Sequence, residues 1–241
     1  MKIIISGYGK MGKMVERVCL ERNHQILTKL DTEKDWASLK NEEVNRAVVI
    51  DFSMPAEAVS NIYRCFDLGI PIVTGTTGWY EQLAAVRKVC DEKQGALFYA
   101  PNFSMGVNIF FHVNAILAKI MAKTETYRPE ITEIHHVHKL DAPSGTALRL
   151  ADDILMAYPN LQQWVNHETT DLNKLQIISE RRGEVPGIHQ IVYDSKVDSI
   201  SLIHEAKSRK GFALGAVLAA EFLQGKKGIF TMRDYLKTIG L

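Results

Sequence analysis

Hydrophobic and polar positions along the first hundred residues fall into two alternating periods. KIIIS is a short apolar run that stops at Gly7, and Met14, Val15, Val18 and Cys19 then recur at helical spacing. QILTKLD, ending in Asp31, reads as a second strand and RAVVIDF as a third. Ser53 offers a helix N-cap, Pro55 suits the first turn, and Gly69 suits the C-terminal stop. IPIVTGTTG is a fourth strand with a Gly/Thr turn, followed by a helix from about Tyr80 to Asp91 and a fifth strand, ALFYA. Strands alternating with helices imply a parallel sheet with right-handed crossovers.

The pattern changes after Asn102. A long helix is expected from about Ser104 to Ala122, and PEITEIHHVH reads as a strand. A helix over Gly145–Ala157 carries Ala147, Leu148, Leu150, Ala151, Ile154 and Leu155 on one face. Residues 159–174 are polar and read as a loop. Strand-like runs follow around LQIIS, IHQIVYD and SISLIHEA, separated by Gly, Pro and Asp turn chemistry. A small-residue-rich helix, GFALGAVLAAEFLQG, and a short element, FTMRDYL, close the chain. Hinges are expected near Asn102–Ser104 and Gly211–Gly215. The fold class expected is α/β: a doubly wound parallel sheet plus a second α+β region.

Composition narrows this little. The chain has 241 residues, 46% apolar and 24% charged, with a formal net charge of +1. Neither a nucleic-acid binder nor a polybasic membrane anchor has that electrostatic signature. Residues 95–118 lack Asp, Glu, Lys and Arg, but Pro101, Asn102, Ser104, Asn108, His112 and Asn114 argue against a membrane span. No signal peptide is read in MKIIISGYG, so the cytoplasm is the expected location. Cys19, Cys65 and Cys90 form no CxxC and are expected as small buried residues.

Gly7, Gly9 and Gly12 make a G-x-G-x-x-G between an apolar strand and a helix, the context this dinucleotide-binding pattern needs. Such glycines permit a tight turn and close approach of backbone to a pyrophosphate at the helix N-terminus. Asp31 ends the second strand, 19 residues after Gly12, where a carboxylate can accept from an adenosine ribose. It would repel a 2′-phosphate, and no arginine follows it directly. NADH is therefore favoured over NADPH, although Lys29 and Lys34 lie within reach of a phosphate. Thr74–Gly78 and Ala100–Ser104 each follow a parallel strand and are expected to border the nucleotide. Taken alone, each is equally well explained as turn chemistry.

EIHHVHKLDAPSGTAL places His135, His136, His138, Lys139 and Asp141 just before a helix opened by Ser144, Gly145 and Thr146. In an extended strand His136 and His138 share one face, and His135 and Val137 the other. Histidine exchanges protons near neutral pH, lysine offers a fixed cation, and a helix start suits an anion. Three readings stay open: a polar sheet surface with Ser144 as a cap, a metal held by His135, His136 and His138, or the chemical half of an oxidoreductase. No HExxH or carboxylate partner supports the metal, and no metal is expected. A nucleotide-sensing module without turnover, and another nicotinamide enzyme such as an amino-acid dehydrogenase, are the competing classes.

This block resembles the signature of the dihydrodipicolinate reductase (4-hydroxy-tetrahydrodipicolinate reductase) family of diaminopimelate and lysine biosynthesis. GYGKMG, VIDFSMP, VTGTTGW, APNFSMGVN, RRGEVPG, HEAKSR and GIFTMRDYL resemble the same family, in order over essentially the whole chain. The resemblance implies reduction of a cyclic unsaturated dicarboxylate by NADH or NADPH. It implies His135 as general acid/base and Lys139 as proton donor, with His136, Lys139, Ser144, Gly145 and Thr146 on the substrate. It implies cofactor contacts at Gly7, Tyr8, Gly9, Lys10, Met11, Gly12, Asp31, Ser53, Gly75, Thr76, Thr77, Ala100, Pro101, Asn102 and Phe103. It implies a Rossmann domain over residues 1–103 completed by 212–241, and a substrate-binding and homotetramer-forming domain over 104–211. Ser6 stands where the family often has glycine, and the segment between Asp31 and Arg46 is shorter than in many members.

Overall fold

The computed structural model describes residues 1–39, 44–124 and 126–241. The chain divides into two compact units, one of residues 1–105 with 209–241 and one of residues 106–208.

The first unit is built on six parallel strands: β1 (Lys2–Ser6), β2 (Gln25–Leu30), β3 (Ala47–Asp51), β4 (Ile72–Thr74), β5 (Ala96–Tyr99) and β11 (Gly228–Phe230). Their order is β11-β5-β4-β3-β1-β2. Successive side chains on a strand face opposite ways, so a sheet covered on both faces reads as a continuous apolar run. Ile3, Ile5, Val48, Ile50 and Phe98 join one core with helices α1 (Lys10–Glu21) and α7 (Lys210–Leu223). Ile4, Val49 and Leu97 join the other with α3 (Pro55–Asp67) and α4 (Leu83–Lys93). Cys19, Cys65 and Cys90 are free and buried in these cores. Arg22 and His24 both bind Glu221, at 2.8 and 2.7 Å, which ties α7 to the start of the chain. Gly215 lies inside α7, where an added Cβ would sit 1.7 Å from the Phe103 carbonyl oxygen. It is a close-packing position inside the helix, and the division between the two units falls just before that helix, at Ser208 and Arg209.

Two elements here escape apolar periodicity. Helix α2 (Glu33–Ala37) is five residues long and is set by a capping box. Thr32 accepts from the Asp35 N–H, and the Asp35 carboxylate accepts from the Thr32 N–H at 2.7 Å. The terminal FTMRDYL splits into β11 and helix α8 (Met232–Lys237), again opened by a capping box, between Thr231 and Asp234.

The second unit contains helix α5 from Gly106 onward (Met105–Met121 in full), helix α6 (Gly145–Ala157) and a mixed sheet. The sheet holds β6 (Arg128–His135), β7 (Gln163–Val165), β8 (Lys174–Arg181), β9 (Ile188–Asp194) and β10 (Ser199–Glu205), in the order β10-β9-β6-β8-β7. β7 lies in the stretch expected to be loop; it is three residues long and mostly exposed. β6 buries every second residue, so Pro129, Ile131, Glu133 and His135 face inward. Its inner face thus turns from apolar to ionisable toward its carboxyl end. The strand stops at His135, not His138. His136–Lys139 form a turn closed by the Lys139 N–H on the His136 carbonyl at 3.1 Å, and the expected alternation of histidines ends there.

Candidate active site

β1 has β2 on one side and β3 on the other, so the chain reverses its direction of winding at β1 and β3. Ligands of open parallel sheets sit outside the carboxyl ends of strands at such a point. A cavity of about 280 Å³ opens there, lined by Gly7, Tyr8, Gly9, Asp31 and Ser53 among others. Phe52, Asn61 and Arg64 also line it. At Gly7 an added Cβ would lie 2.4 Å from the Phe52 carbonyl oxygen, and at Gly12 2.3 Å from the Gly7 oxygen. Gly7 also has a φ of +80°, so the turn requires glycine twice over. Gly9 is the N-cap of α1, and no side chain caps the helix there. The first N–H groups of α1 are thereby left for a ligand. Asp31 accepts the Tyr8 N–H at 2.6 Å, which fixes its carboxylate over the turn.

The remaining expected nucleotide residues do not line this cavity. Lys10, Met11 and Gly12 form the first turn of α1. Gly75–Thr77 and Ala100–Phe103 follow β4 and β5. Ala100 and Phe103 send their side chains into the core, which leaves only backbone for a ligand. Lys29 is engaged with Glu16 at 2.7 Å and with the Tyr8 hydroxyl at 2.9 Å. Arg64 pairs with Glu33 and lies 5.6 Å from the Trp36 ring centre.

Beneath the cavity is Asp51, which lies in VIDFSMP but is not among the expected site residues. The fully buried Asp51 carboxylate accepts from Ser6 Oγ (2.7 Å), Thr74 Oγ1 (2.8 Å), Thr76 Oγ1 (2.9 Å) and Asn61 Nδ2 (3.2 Å). These bonds draw together the carboxyl ends of β1, β3 and β4. Trp79 Nε1 pins the Thr76 carbonyl at 2.8 Å, holding the Gly/Thr turn from its other side.

In the second unit the inner ends of three strands meet. Register sets Glu133 of β6 opposite His189 of β9 and Ser179 of β8, and His135 opposite Arg181. Glu133 is fully buried. Its Oε2 lies 2.7 Å from His135 Nδ1, with the ring turned off the straight line between them. Its Oε1 accepts the Ser144 N–H at 3.1 Å, and the Arg181 guanidinium stands 3.4 Å away. Burial alone would raise the Glu133 carboxyl, but His135, Ser144 and Ser179 outweigh it and hold it well below the usual carboxylate range. Burial, reinforced by the charge of His135, pushes His189 down to about 3, so it stays neutral. Its Nε2 lies 3.1 Å from Ser144 Oγ, which also accepts the Ala147 N–H and so caps α6. Ser144 is accordingly buried and doubly engaged, while Gly145 is exposed and Thr146 half-buried.

The three histidines of the motif do not converge. His138 is exposed beside Glu184, and the His136 and His138 rings lie 6.2 Å apart in the turn. The groups that converge are Glu133, His135 and His189, whose ligand-capable atoms lie within 4.8 Å of one another. Lys139 binds both Asp141 oxygens at 2.7 Å and holds that carboxyl below its usual range. Arg181 donates to the carbonyls of Lys139 and Asp141, which fastens the turn to β8. Glu133 and Arg181 open two of the quoted motifs, EIHHVHKLDAPSGTAL and RRGEVPG, yet neither is among the expected site residues, and His189 lies in no quoted motif. The one local signal was the period of β6, which puts Glu133 and His135 on one face.

Comparison with known proteins bears on both halves. Residues 1–103 match the family model described as dihydrodipicolinate reductase, N-terminus, and residues 106–236 match the one described as dihydrodipicolinate reductase, C-terminus. The chain is 46% identical over 239 residues to a 4-hydroxy-tetrahydrodipicolinate reductase of Christiangramia forsetii, covering 99% of each. It is 36% identical over 196 residues to one of Neisseria gonorrhoeae, covering 78% of this chain and 72% of that one. A dipicolinate-bound dihydrodipicolinate reductase from Paenisporosarcina shares the fold, with a TM-score of 0.77 at 23% identity over 96% of this chain and 97% of that one.

Proposed function

The chain belongs to the dihydrodipicolinate reductase family, and from that premise we propose which of its residues bind and protonate the substrate. Its reaction is reduction of 4-hydroxy-tetrahydrodipicolinate to tetrahydrodipicolinate with a reduced pyridine nucleotide, in diaminopimelate and lysine biosynthesis. The balance is one hydride and one proton added and one water lost. The glycine cradle and uncapped start of α1 fit a dinucleotide, which when bound supplies the hydride. Asp31 accepts from the adenosine ribose, and NADH is the favoured cofactor because that carboxylate opposes a 2′-phosphate.

The proton comes from the second unit. His135 stands at the end of β6 with one nitrogen against a carboxylate, the arrangement of a positioned acid. This is the observation that carries the reading. Lys139, His136 and the N–H groups of Gly145 and Thr146 receive the two substrate carboxylates. Ser144 belongs to the set through its place at the helix start, its hydroxyl also engaging His189 and the helix cap. Assembly as a homotetramer through the second unit is part of the same reading. Ile200 and Ile203 of β10 stay exposed and offer apolar surface for it.

The test is consumption of reduced nicotinamide with substrate made in situ from pyruvate and aspartate semialdehyde by a coupled synthase. NADH and NADPH are run side by side, with dipicolinate, the ligand of the Paenisporosarcina structure, as inhibitor. Synthase-dependent consumption that dipicolinate suppresses is expected. NADH binding without consumption would point instead to a sensing module.

A further inference from the structure

We propose that Glu133, with His189 and Ser144 behind it, is the positioning residue that fixes His135 as its Nδ1–H tautomer and turns Nε2 toward the substrate. This rests on the reading of His135 as the proton source.

A carboxylate oxygen 2.7 Å from Nδ1 leaves that nitrogen one stable state. Two lone pairs at this distance repel, so Nδ1 carries the proton whether the ring is neutral or charged. A neutral ring then has its lone pair on Nε2, and a charged ring has its transferable proton there. The structure leaves room at that edge. An added Cβ at Gly187 would lie 3.0 Å from Nε2 and 3.3 Å from Cδ2, so the missing side chain is what keeps the edge clear.

Glu133 is itself held from two neighbouring strands and a helix start. Ser179 and Arg181 approach from β8, His189 from β9, and the Ser144 N–H from the start of α6. His189 stacks edge-on against His135, with ring centres 5.1 Å apart. A charged imidazole there would contend with His135 for the same carboxylate. Neutral His189 instead spends its Nε2 on Ser144, the residue that caps α6 and points its N–H at Glu133. The two ends of the HHVHKLDAPS segment are thus tied to one carboxylate. Turn, helix start and acid cannot shift independently.

The charged and titratable groups around His135 set the sign of a pH test. They are Glu133 on its own strand, Arg181 on β8, His189 on β9 with His204 beyond it on β10, and Lys139 in the turn. Glu133 is the anion in direct contact, Arg181 is the cation beside it, and Lys139 is paired with the Asp141 carboxylate. Removing the charge of Glu133 favours the neutral ring.

The first measurement is on the unaltered protein: nitrogen NMR of histidine side chains, with His135 assigned by its loss in His135→Gln. An Nδ1–H tautomer is expected, whereas free histidine prefers Nε2–H. A dominant Nε2–H form overturns the proposal without reference to any variant's folding. The second is Glu133→Gln, which keeps the shape and still accepts the Ser144 N–H. Turnover is expected to fall about 10- to 100-fold, with the alkaline limb of kcat/KM moved to lower pH by about one unit. The NADH dissociation constant should not change. A pH profile superimposable on that of the wild type, in a variant that binds NADH normally, also overturns it. The underlying reading fails separately: His135→Gln would then retain turnover within a few-fold of wild type whatever the tautomer.

Discussion

Asp51 and Thr76, 25 residues apart in sequence, meet at 2.9 Å in the interior, joining the end of β3 to the Gly/Thr turn after β4. Asp51→Ala strips the acceptor from four donors at once. Each buried donor left unpaired costs about 1–3 kcal/mol. Allowing for some rotating to other acceptors, a loss of about 3 kcal/mol or more is expected, while Thr76→Val should cost about 1 kcal/mol. Urea unfolding of the two variants measures the difference. Equal midpoints for wild type and Asp51→Ala would show that the cluster stabilises nothing.

Cofactor choice is tested at the cavity mouth. Asp31→Ala removes the ribose acceptor, so NADH is expected to bind more weakly and NADPH to gain relative to it. Glu33 neutralises Arg64, a guanidinium that lines the same cavity. Glu33→Ala is expected to free it and raise the NADPH-to-NADH ratio of kcat/KM about 10-fold, the worth of one charge-assisted contact. Adding Arg64→Ala should cancel that gain. A ratio that stays fixed through both changes would take Asp31 and Arg64 out of nucleotide selection.

Asp141 holds Lys139 in a partly buried pair, the lysine side chain 21% and the aspartate side chain 59% exposed. A pair open to water on its aspartate side contributes about 1 kcal/mol or less, so Lys139→Ala should unfold within a few degrees of the wild type. Its turnover should nonetheless fall about 100-fold or more, the scale of a lost acid or electrostatic group. Turnover within a few-fold of wild type would remove Lys139 from the chemistry.

What the sequence displayed depended on how local each cause is. β1 and the glycine turn stand within the first dozen residues, and β3 is one unbroken apolar run, so each can be read directly. α2 is too short for any period. Its Thr32-x-x-Asp35 capping box was its signal, and a search for apolar faces passes over it. PEITEIHHVH reads as strand through His138 because alternation alone does not mark a strand's end. The end comes from the turn at His136–Lys139, which Arg181 fastens from β8. The supports of the site were least visible. Asp51 reaches Ser6 across 45 residues, and His189 reaches Ser144 across 45. Sheet register brings the first pair together and the seating of the α6 start against β9 the second, and one sequence prints neither. Ser144 shows the same limit. Its place at the helix start is legible in the sequence, but its interior partner His189 is not.

Acid sensitivity follows from His189. Its imidazole titrates near 6.5 when exposed and is pushed down to about 3 in the fold by burial and by His135. Between those values the unfolded chain binds a proton that the folded chain does not. Stability therefore rises with pH through this window and falls on acidification. The slope approaches about 1.4 kcal/mol per pH unit, or about 2 kcal/mol between pH 7 and pH 5. Glu133 acts with the same sign lower down. Its depressed carboxyl stabilises the fold above the ordinary value near 4.5, and that contribution is lost as pH falls below it. His204 is also lowered by burial, so the wild-type slope is not due to His189 alone. The difference between wild type and His189→Asn isolates the one group. Unfolding free energies measured at pH 7, 6 and 5 should converge by about 2 kcal/mol across that range. Parallel curves for the two proteins would mean that His189 is protonated in the folded state, and that it does not sit beside Glu133 as a neutral support.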